Sequence, residues 1–218
     1  MFHNIFYTYL LINLLKFSLS EFNFEKRQKL IFSLSKDLLI KNIILLKQPK
    51  FLTNTKNLLF AKEIFQSNIY ISFLSAKEIN KIINDSEEKY LKTLIFTFEE
   101  DNNYVIFKLI SKNELNAWKF FWLIWNNEKQ ISTQNNDFYV PYNVQFFIVQ
   151  DDVTRSYNVS YISEIYHPGL LSQTLTKRDY GIWSEEKGLE VLERDLYQRR
   201  FDLNGTEINI VYNPVRII

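Results

Sequence analysis

The chain has 218 residues, 46% of them hydrophobic and 17% aromatic, so a single domain with a sizeable core is expected. Its 26 basic and 25 acidic residues give a net charge of +1, which removes the usual electrostatic basis for nucleic-acid binding. Cysteine is absent and only four glycines occur, which excludes disulfides, cysteine metal sites, thiol nucleophiles and a glycine-rich phosphate loop. The basic pairs are scattered, and we interpret them as solvated surface or helix-end charges: Lys26-Arg27, Lys177-Arg178 and Arg199-Arg200.

The first twenty residues contain an apolar run, over residues 5–15, of the length found in signal peptides. The run is too short for a helix that spans a membrane. Ser18 and Ser20 would occupy the small positions before a cleavage site ahead of Glu21. We therefore predict a signal peptide over residues 1–20, and the alternative is an ordinary N-terminal core helix.

Helical and strand patterns alternate from residue 22 to residue 115. Apolar residues at helical spacing predict helices over residues 22–39, 55–66, 76–84 and 104–115. Short apolar runs predict strands over residues 43–46, 69–74 and 94–98. This alternation is typical of βαβ units. We predict an α/β fold, namely a three-layer, parallel or mostly parallel sheet with helices on both faces.

The second half of the chain is predicted to add strands to this α/β core. Residues 117–125 fit a helix, because three tryptophans lie at positions i, i+4 and i+7, and they also fit a buried strand. We interpret residues 119–125 as a strand and its aromatic side chains as core rather than as a ligand cage. Further strands are predicted over residues 144–149, 157–166 and 170–176, the last two joined by a turn at His167-Pro168-Gly169.

The sequence offers little catalytic chemistry. His3 and His167 are the only histidines, and we interpret His167 as a surface residue of a turn. No residues have the spacing of a zinc site. Asp151-Asp152 is the best-placed acidic pair, because it follows a predicted strand at the end where open α/β sheets bind ligands. We prefer the alternative, a solvated loop or helix cap, and predict no enzyme and no cofactor.

The last forty residues combine a helical pattern, a turn and a strand. Leucines at spacings 3 and 4 predict a helix over residues 188–198, with Leu189, Leu192 and Leu196 on its apolar face. Asn204-Gly205 suits a tight turn, and residues 207–212 form a β-branched run before Pro214. The chain therefore ends as a new strand begins, and a natural continuation is expected.

This C-terminal stretch contains a spaced pattern of aromatic, glycine and arginine residues. The pattern comprises Gly181, Trp183, Gly188 and Leu189, then Arg199, Arg200, Phe201, Leu203 and Gly205. It resembles the junction in insect chemosensory ionotropic receptors of the 75a type, which are relatives of the ionotropic glutamate receptors. In that family the junction joins the extracellular N-terminal domain to the first lobe of the ligand-binding domain. The resemblance implies that residues 21–200 are an N-terminal domain and residues 201–218 the junction and first strand of a truncated lobe.

The resemblance also implies a function. The expected role is that of a non-catalytic domain in a family of ligand-gated cation channels, serving folding, assembly or trafficking of a subunit. The expected partners are receptor subunits of the same family, and the membrane is reached only through a missing C-terminal part. The alternatives are a secreted stand-alone α/β protein that binds a small molecule or partner, and a cytosolic α/β enzyme.

Three glycosylation sequons agree with a secretory route. They place candidate glycans on Asn84, Asn158 and Asn204. The expected location is the extracellular face of the plasma membrane in a full-length receptor, or the extracellular medium for a truncated one.

Overall fold

The computed structural model describes residues 24–46, 62, 64, 66–85, 92–97, 103–126, 139–152, 159–168 and 175–193. The strands are β1 Asn42–Leu46, β2 Tyr70–Leu74, β3 Thr93–Phe96, β4 Phe120–Trp125, β5 Gln145–Asp151, β6 Val159–Tyr166, β7 Thr176–Ser184 and β8 Gly188–Val191. The helices are α1 over residues 24–37, α2 described at residues 62, 64 and 66, α3 Ala76–Asn84, α4 Asn103–Lys112 and α5 Glu114–Ala117.

All eight strands belong to one sheet, in the order β2-β1-β3-β4-β5-β6-β7-β8. The five strands from β2 to β5 are parallel to their neighbours, and β6, β7 and β8 are added in antiparallel orientation. The strand order reverses between β1 and β3, which makes this pair the topological switch point of the sheet. The predicted α/β class, its mostly parallel sheet and its extra C-terminal strands are confirmed.

Hydrophobic cores lie on both faces of the sheet, because successive strand residues point to opposite faces. One core joins α1 and Ile64 to side chains such as Ile43 and Leu45 of β1. The other joins α3 and α4 to the intervening side chains, Ile44 and Leu46. Burying each such side chain contributes about 1.5–3 kcal/mol, so these two cores stabilise the three-layer arrangement.

The helix α3 has the predicted bounds, and its start has a clear chemical cause. Ser75 is the N-cap, and its hydroxyl accepts from the backbone N–H of Glu78, whose carboxylate accepts from the N–H of Ser75. This capping box satisfies donors that the first turn would otherwise leave unpaired. The predicted helix over residues 104–115 is interrupted at Asn113, whose amide donates to the carbonyl of Leu109 and separates α4 from α5.

The aromatic run is a strand, as predicted. Trp122 and Trp125 lie in β4 and are fully buried in the two cores, one on each face. Trp118 precedes the strand and is partly exposed. Two of the three tryptophans are therefore core residues.

One prediction for the C-terminal third is wrong. The predicted helix over residues 188–198 begins instead as the strand β8, which pairs with β7 through Trp183 and Leu189. Leu192 does not belong to an apolar face, since 63% of its surface is exposed. At β8, hydrogen bonding with β7 outweighs the local leucine pattern. Of the predicted strand over residues 170–176, only Leu175 and Thr176 lie within the described residues, and Thr176 begins β7.

Several predictions fall outside the described residues. They are the signal peptide over residues 1–20, the first part of the helix over residues 55–66, the turn at Asn204-Gly205 and the strand over residues 207–212.

Candidate functional site at the carboxyl ends of the parallel strands

Ligands of open α/β sheets bind outside the carboxyl ends of the parallel strands, so a site is expected at this edge of the sheet. The structure brings five polar side chains there. Thr97 follows β3, Asn126 follows β4, Asp151 ends β5, and the first described turn of α1 carries Lys26 and Arg27. We call this region the carboxyl edge.

A buried ion pair joins α1 to the carboxyl edge. The Lys26 ammonium donates to Asp151 Oδ1 at 2.6 Å and to the Val159 carbonyl at 3.3 Å. The Ser160 hydroxyl donates to the same Asp151 oxygen at 2.6 Å. Side-chain exposure is 5% for Lys26 and 18% for Asp151, so water screens this pair weakly. Of the two interpretations of Lys26, a solvated surface charge is therefore wrong, and the residue is a buried charge in the first described turn of a helix.

This arrangement holds the fold together rather than activating a nucleophile. Ser160 is fully buried and its proton is directed at Asp151, which already accepts from an ammonium group. A nucleophilic serine needs a neighbouring base that takes its proton, and it needs access to substrate. The three side chains instead fix the start of α1 against β5 and β6.

The side chains of Asp151 and Asp152 do not lie together. Asp151 and Asp152 are consecutive along an extended chain, so their side chains point to opposite faces. Asp152 lies 3.5 Å from the Tyr161 hydroxyl, and its backbone N–H donates to the Val159 carbonyl. The two carboxylates do not converge on one site. Asp151 is a strand residue, which corrects the preferred interpretation for that residue, whereas Asp152 follows the strand.

Arg27 lies over the end of β4. Its guanidinium is 5.1 Å from the centre of the Trp125 ring, the distance of a cation–π contact. Trp125 in turn contacts Phe96 of β3, with ring centroids 6.0 Å apart. The basic pair at the start of α1 is thus used to anchor this helix over β4 and β5.

Two buried carboxamides at the carboxyl edge were missed by sequence reasoning. Asn103 begins α4, and its side-chain amide donates to the carbonyl of Trp125, the last residue of β4. Asn126 follows Trp125 directly. Both side chains are buried, and within the described structure their Oδ1 atoms have no hydrogen-bond partner. Such unpaired buried acceptors are uncommon and costly. A lone asparagine in an Asn-rich chain offered no signal that could have found them.

His167 is a buried residue that follows β6, at the amino ends of the parallel strands. This position corrects its interpretation as a surface residue. Its Nδ1 accepts from the Val140 N–H at 3.1 Å, and its ring lies 5.1 Å from that of Tyr139. Burial lowers the pKa of His167. Burial also raises the pKa of Tyr139, with the charge of Glu114 as a second cause.

The first four residues of the receptor-like pattern come together in one hairpin. Gly181 and Trp183 lie in β7, and Gly188 and Leu189 begin β8, with Trp183 opposite Leu189. A Cβ atom at Gly181 would lie 2.6 Å from the Glu190 carbonyl oxygen, so only glycine fits there. Gly188 has a φ of 72°, which glycine adopts readily. The remaining residues of the pattern, Arg199, Arg200, Phe201, Leu203 and Gly205, lie outside the described residues.

The same hairpin is bound to α1. The Trp183 indole N–H donates to the Ser33 hydroxyl at 3.1 Å, and the Tyr180 hydroxyl donates to the Asp37 carboxylate at 2.6 Å. Trp183 and Tyr180 are both buried in the core under this helix. The glycines and the tryptophan therefore have structural roles in closing the sheet.

Of the three sequons, only Asn84 lies in the described structure. It is exposed at the end of α3, and its amide donates to the Asn80 carbonyl at 2.8 Å and to Asn113 Oδ1 at 3.0 Å. A glycan on this nitrogen would replace one of those two donors. Asn158 and Asn204 lie outside the described residues.

The fold defines an α/β protein with a mostly parallel sheet covered by helices on both faces. None of the described helices is long and apolar enough to cross a membrane. In the described ranges, no group of three or more histidine or acidic side chains is placed to hold a metal ion. No protein-family model matches the sequence, and a search of curated proteins finds no match either.

Proposed function

We propose that this chain is the extracellular N-terminal domain of an ionotropic-receptor-like chemosensory protein. In this proposal the domain is non-catalytic and serves the folding, assembly or trafficking of a receptor subunit. Its partners are subunits of the same family, and its location is the secretory pathway and the outer face of the cell. Residues 1–20 are the signal peptide, and residues 201–218 lead into the first ligand-binding lobe.

The observation that carries this proposal is the hairpin of β7 and β8. Four residues of the receptor-like pattern lie in these two paired strands at the end of the sheet, with Trp183 opposite Leu189. The hairpin forms the last two strands of the described domain, immediately before the segment that resembles the junction. This is where a unit that connects one domain to the next belongs.

The polar groups at the carboxyl edge also favour a non-catalytic role. Lys26, Asp151 and Ser160 satisfy one another inside the protein, and the two adjacent aspartates face apart. Acid–base catalysis requires titratable groups that converge on a substrate. These residues instead stabilise the attachment of α1.

The test is to express the full chain in insect cells and to analyse the medium by mass spectrometry, with and without glycosidase. We expect secreted protein that begins near Glu21 and carries sugar on Asn158 or Asn204. Asn158→Gln and Thr206→Ala should each remove one glycan, and Asn84→Gln is the matched control that leaves both. Unglycosylated protein that retains Met1 in the cytosol would contradict the proposal.

A second function is favoured by one observation. The Oδ1 atoms of Asn103 and Asn126, which have no partner among the described residues, lie at the carboxyl end of β4, on the edge where a secreted binding protein would hold a small molecule. Native mass spectrometry of the secreted protein should then detect a retained compound that is absent from Asn126→Leu. Transcript sequence that continues past Ile218 into three hydrophobic spans would favour the receptor instead.

A further inference from the structure

Among the described residues, no strand covers the outer side of β2. In the described part of the chain, β2 pairs with β1 on one side and is the last strand of the sheet on the other. Sheet edges are usually protected by charged residues, proline or bulges. The sequence of β2, Tyr-Ile-Ser-Phe-Leu, contains none of these residues, and its pairing with β1 is regular.

The opposite edge of the sheet is protected in the expected way. β8 begins with a glycine of positive φ and carries the exposed Glu190, which lies 3.8 Å from Lys187. A second strand that approached β8 would meet these charges. The two edges of the same sheet therefore differ, and only β2 is suited to pairing with another chain.

The hydrogen bonds around β2 show which of its backbone groups face outward. The Tyr70 N–H donates to the Lys41 carbonyl, so Tyr70 points its backbone groups toward β1. The direction of the backbone N–H and C=O groups alternates along a strand. The backbone groups of Ser72 and Leu74 therefore also face β1, and those of Ile71 and Phe73 face away from β1. The next outward positions on either side are occupied, because the Ile69 N–H donates to the Ile64 carbonyl and the Ser75 N–H to Glu78.

We propose that a second copy of this chain pairs with β2 in antiparallel orientation, about a two-fold axis at Ser72. In this register Ile71 of each copy exchanges backbone hydrogen bonds with Phe73 of the other, so every free outward donor is used. Any other register would direct an outward carbonyl at Ile69 or Ser75, whose N–H groups are already bonded. The two copies form one continuous sheet.

The side chains suit this self-pairing. Ile71 lies opposite Phe73 and Tyr70 opposite Leu74, which are aromatic–aliphatic pairs of the kind that stabilise sheets. Tyr70 is 68% exposed in the single chain, so pairing would cover apolar surface. β2 has no charge, so bringing two copies together causes no repulsion between like charges. A two-fold interface requires such a self-complementary surface.

The chain has no cysteine, which allows a sharp cross-linking test. Ser72→Cys would place two thiols across the axis, in a non-hydrogen-bonded pair with Cα atoms about 4.5 Å apart. That spacing suits a disulfide. We expect the full-length variant to form a covalent dimer on mild oxidation. Tyr70→Cys is the matched control, because the register separates its two thiols by ~13 Å along the strands.

Sedimentation velocity provides a second measurement on the same protein. We expect the wild type to show a concentration-dependent dimer, and Ser72→Lys to weaken its association roughly fivefold or more, since two ammonium groups would face each other. Glu190→Lys, on the other edge, should leave association unchanged. Ser72 is exposed, so both Ser72 variants should melt like the wild type, which circular dichroism will check.

The outcomes separate this inference from its alternatives and from the proposed function. Wild-type protein that remains monomeric at all concentrations would overturn it, as would a Tyr70→Cys variant that cross-links as fast as Ser72→Cys. A dimer that resists Ser72→Lys uses another surface, which also overturns it. Secretion and glycosylation play no part in these measurements, so the receptor proposal can fail while this one stands, and the reverse.

Discussion

Phe96 and Leu192 are two apolar residues whose surroundings differ completely. Phe96 lies in β3 with its side chain fully buried, whereas 63% of Leu192 is exposed after β8. We expect Phe96→Asp to abolish cooperative folding, because it places an unpaired carboxylate in the core. Leu192→Asp should melt within a few degrees of the wild type. Circular dichroism during heating measures both, and a normal transition for Phe96→Asp would contradict the core assignment.

The sequence pattern alone assigns both residues to the core. It groups Leu192 with Leu189 because their spacing suits a helix. Pairing of β8 with β7 replaces that helix, so Leu189 packs against the core while Leu192 projects from the chain beyond the strand.

His167 should make stability depend on pH. Its pKa is lowered, so below about pH 6.5 the unfolded chain binds a proton that the folded chain does not. The free energy of unfolding should therefore decrease as the pH falls through the range between the ordinary pKa and the lowered one. Protonation would also remove the acceptor that Nδ1 offers to the Val140 N–H.

The variant His167→Asn isolates this effect. Its side-chain oxygen can still accept from Val140, and it does not titrate, so urea unfolding should show a smaller loss of stability between pH 7.5 and pH 5.5. All other titratable groups are common to both proteins and cancel in the comparison. Equal pH dependence in the two proteins would show that His167 is not the cause.

Among the secondary-structure elements, α1 depends on the Lys26–Asp151 pair for its attachment. Asp151→Asn leaves a buried ammonium without its counter-charge and should cost about 3–5 kcal/mol of stability. Lys26→Met should cost less, because Asp151 is more exposed and keeps its bond from Ser160. The double variant should lose less than the sum of the two.

The contact of Lys29 with Glu185 provides the control for this series. It joins the same helix to the turn after β7, but both side chains are largely exposed. Lys29→Met should change the free energy of unfolding by less than ~1 kcal/mol in the same urea experiment.

The double variant supplies the outcome that would contradict the ion pair. Additive effects of Lys26→Met and Asp151→Asn would mean that the two residues do not interact as described.

The β7–β8 hairpin should be sensitive to Gly181. Gly181→Ala forces a methyl group against the Glu190 carbonyl, so β8 must move away from β7. Gly188→Ala meets no atom within 4 Å and changes only the cost of a positive φ, about 1–2 kcal/mol. Hydrogen exchange at residues 188–191 should accelerate more in Gly181→Ala than in Gly188→Ala, and the reverse order would refute the close approach.

For the molecule as a whole, the sheet predicts a gradient of local stability. The inner strands β1, β3, β4 and β5 are covered on both faces and bonded on both sides, whereas β2 and β8 end the sheet. Amide hydrogen exchange should therefore be slowest in the inner strands and fastest in β8. In a dimer formed through β2, Ile71 and Phe73 should gain protection as concentration rises. Uniform exchange across the sheet would contradict this order.

Local sequence patterns are sufficient to predict the α/β class and most of the parallel strands. The runs at residues 43–46 and 94–96 are wholly apolar, and short continuous apolar runs are typical of strands that are buried on both faces, as these two are. The helix α3 is equally clear, since Ser75 and Glu78 form a local capping signal. Such features depend on neighbouring residues, and a sequence displays them directly.

Three features depend instead on tertiary contacts: the sheet order, the extent of the C-terminal strands and the partners of the polar residues. Lys26 and Asp151 are 125 positions apart, and nothing local distinguishes a buried lysine from a solvated one. The strand β8 exists because β7 supplies its hydrogen bonds, which the leucine spacing could not reveal. His167 is likewise buried against Tyr139 and Val140, which lie far from it in the sequence. These features join distant segments, and their free energy appears only when the chain is folded.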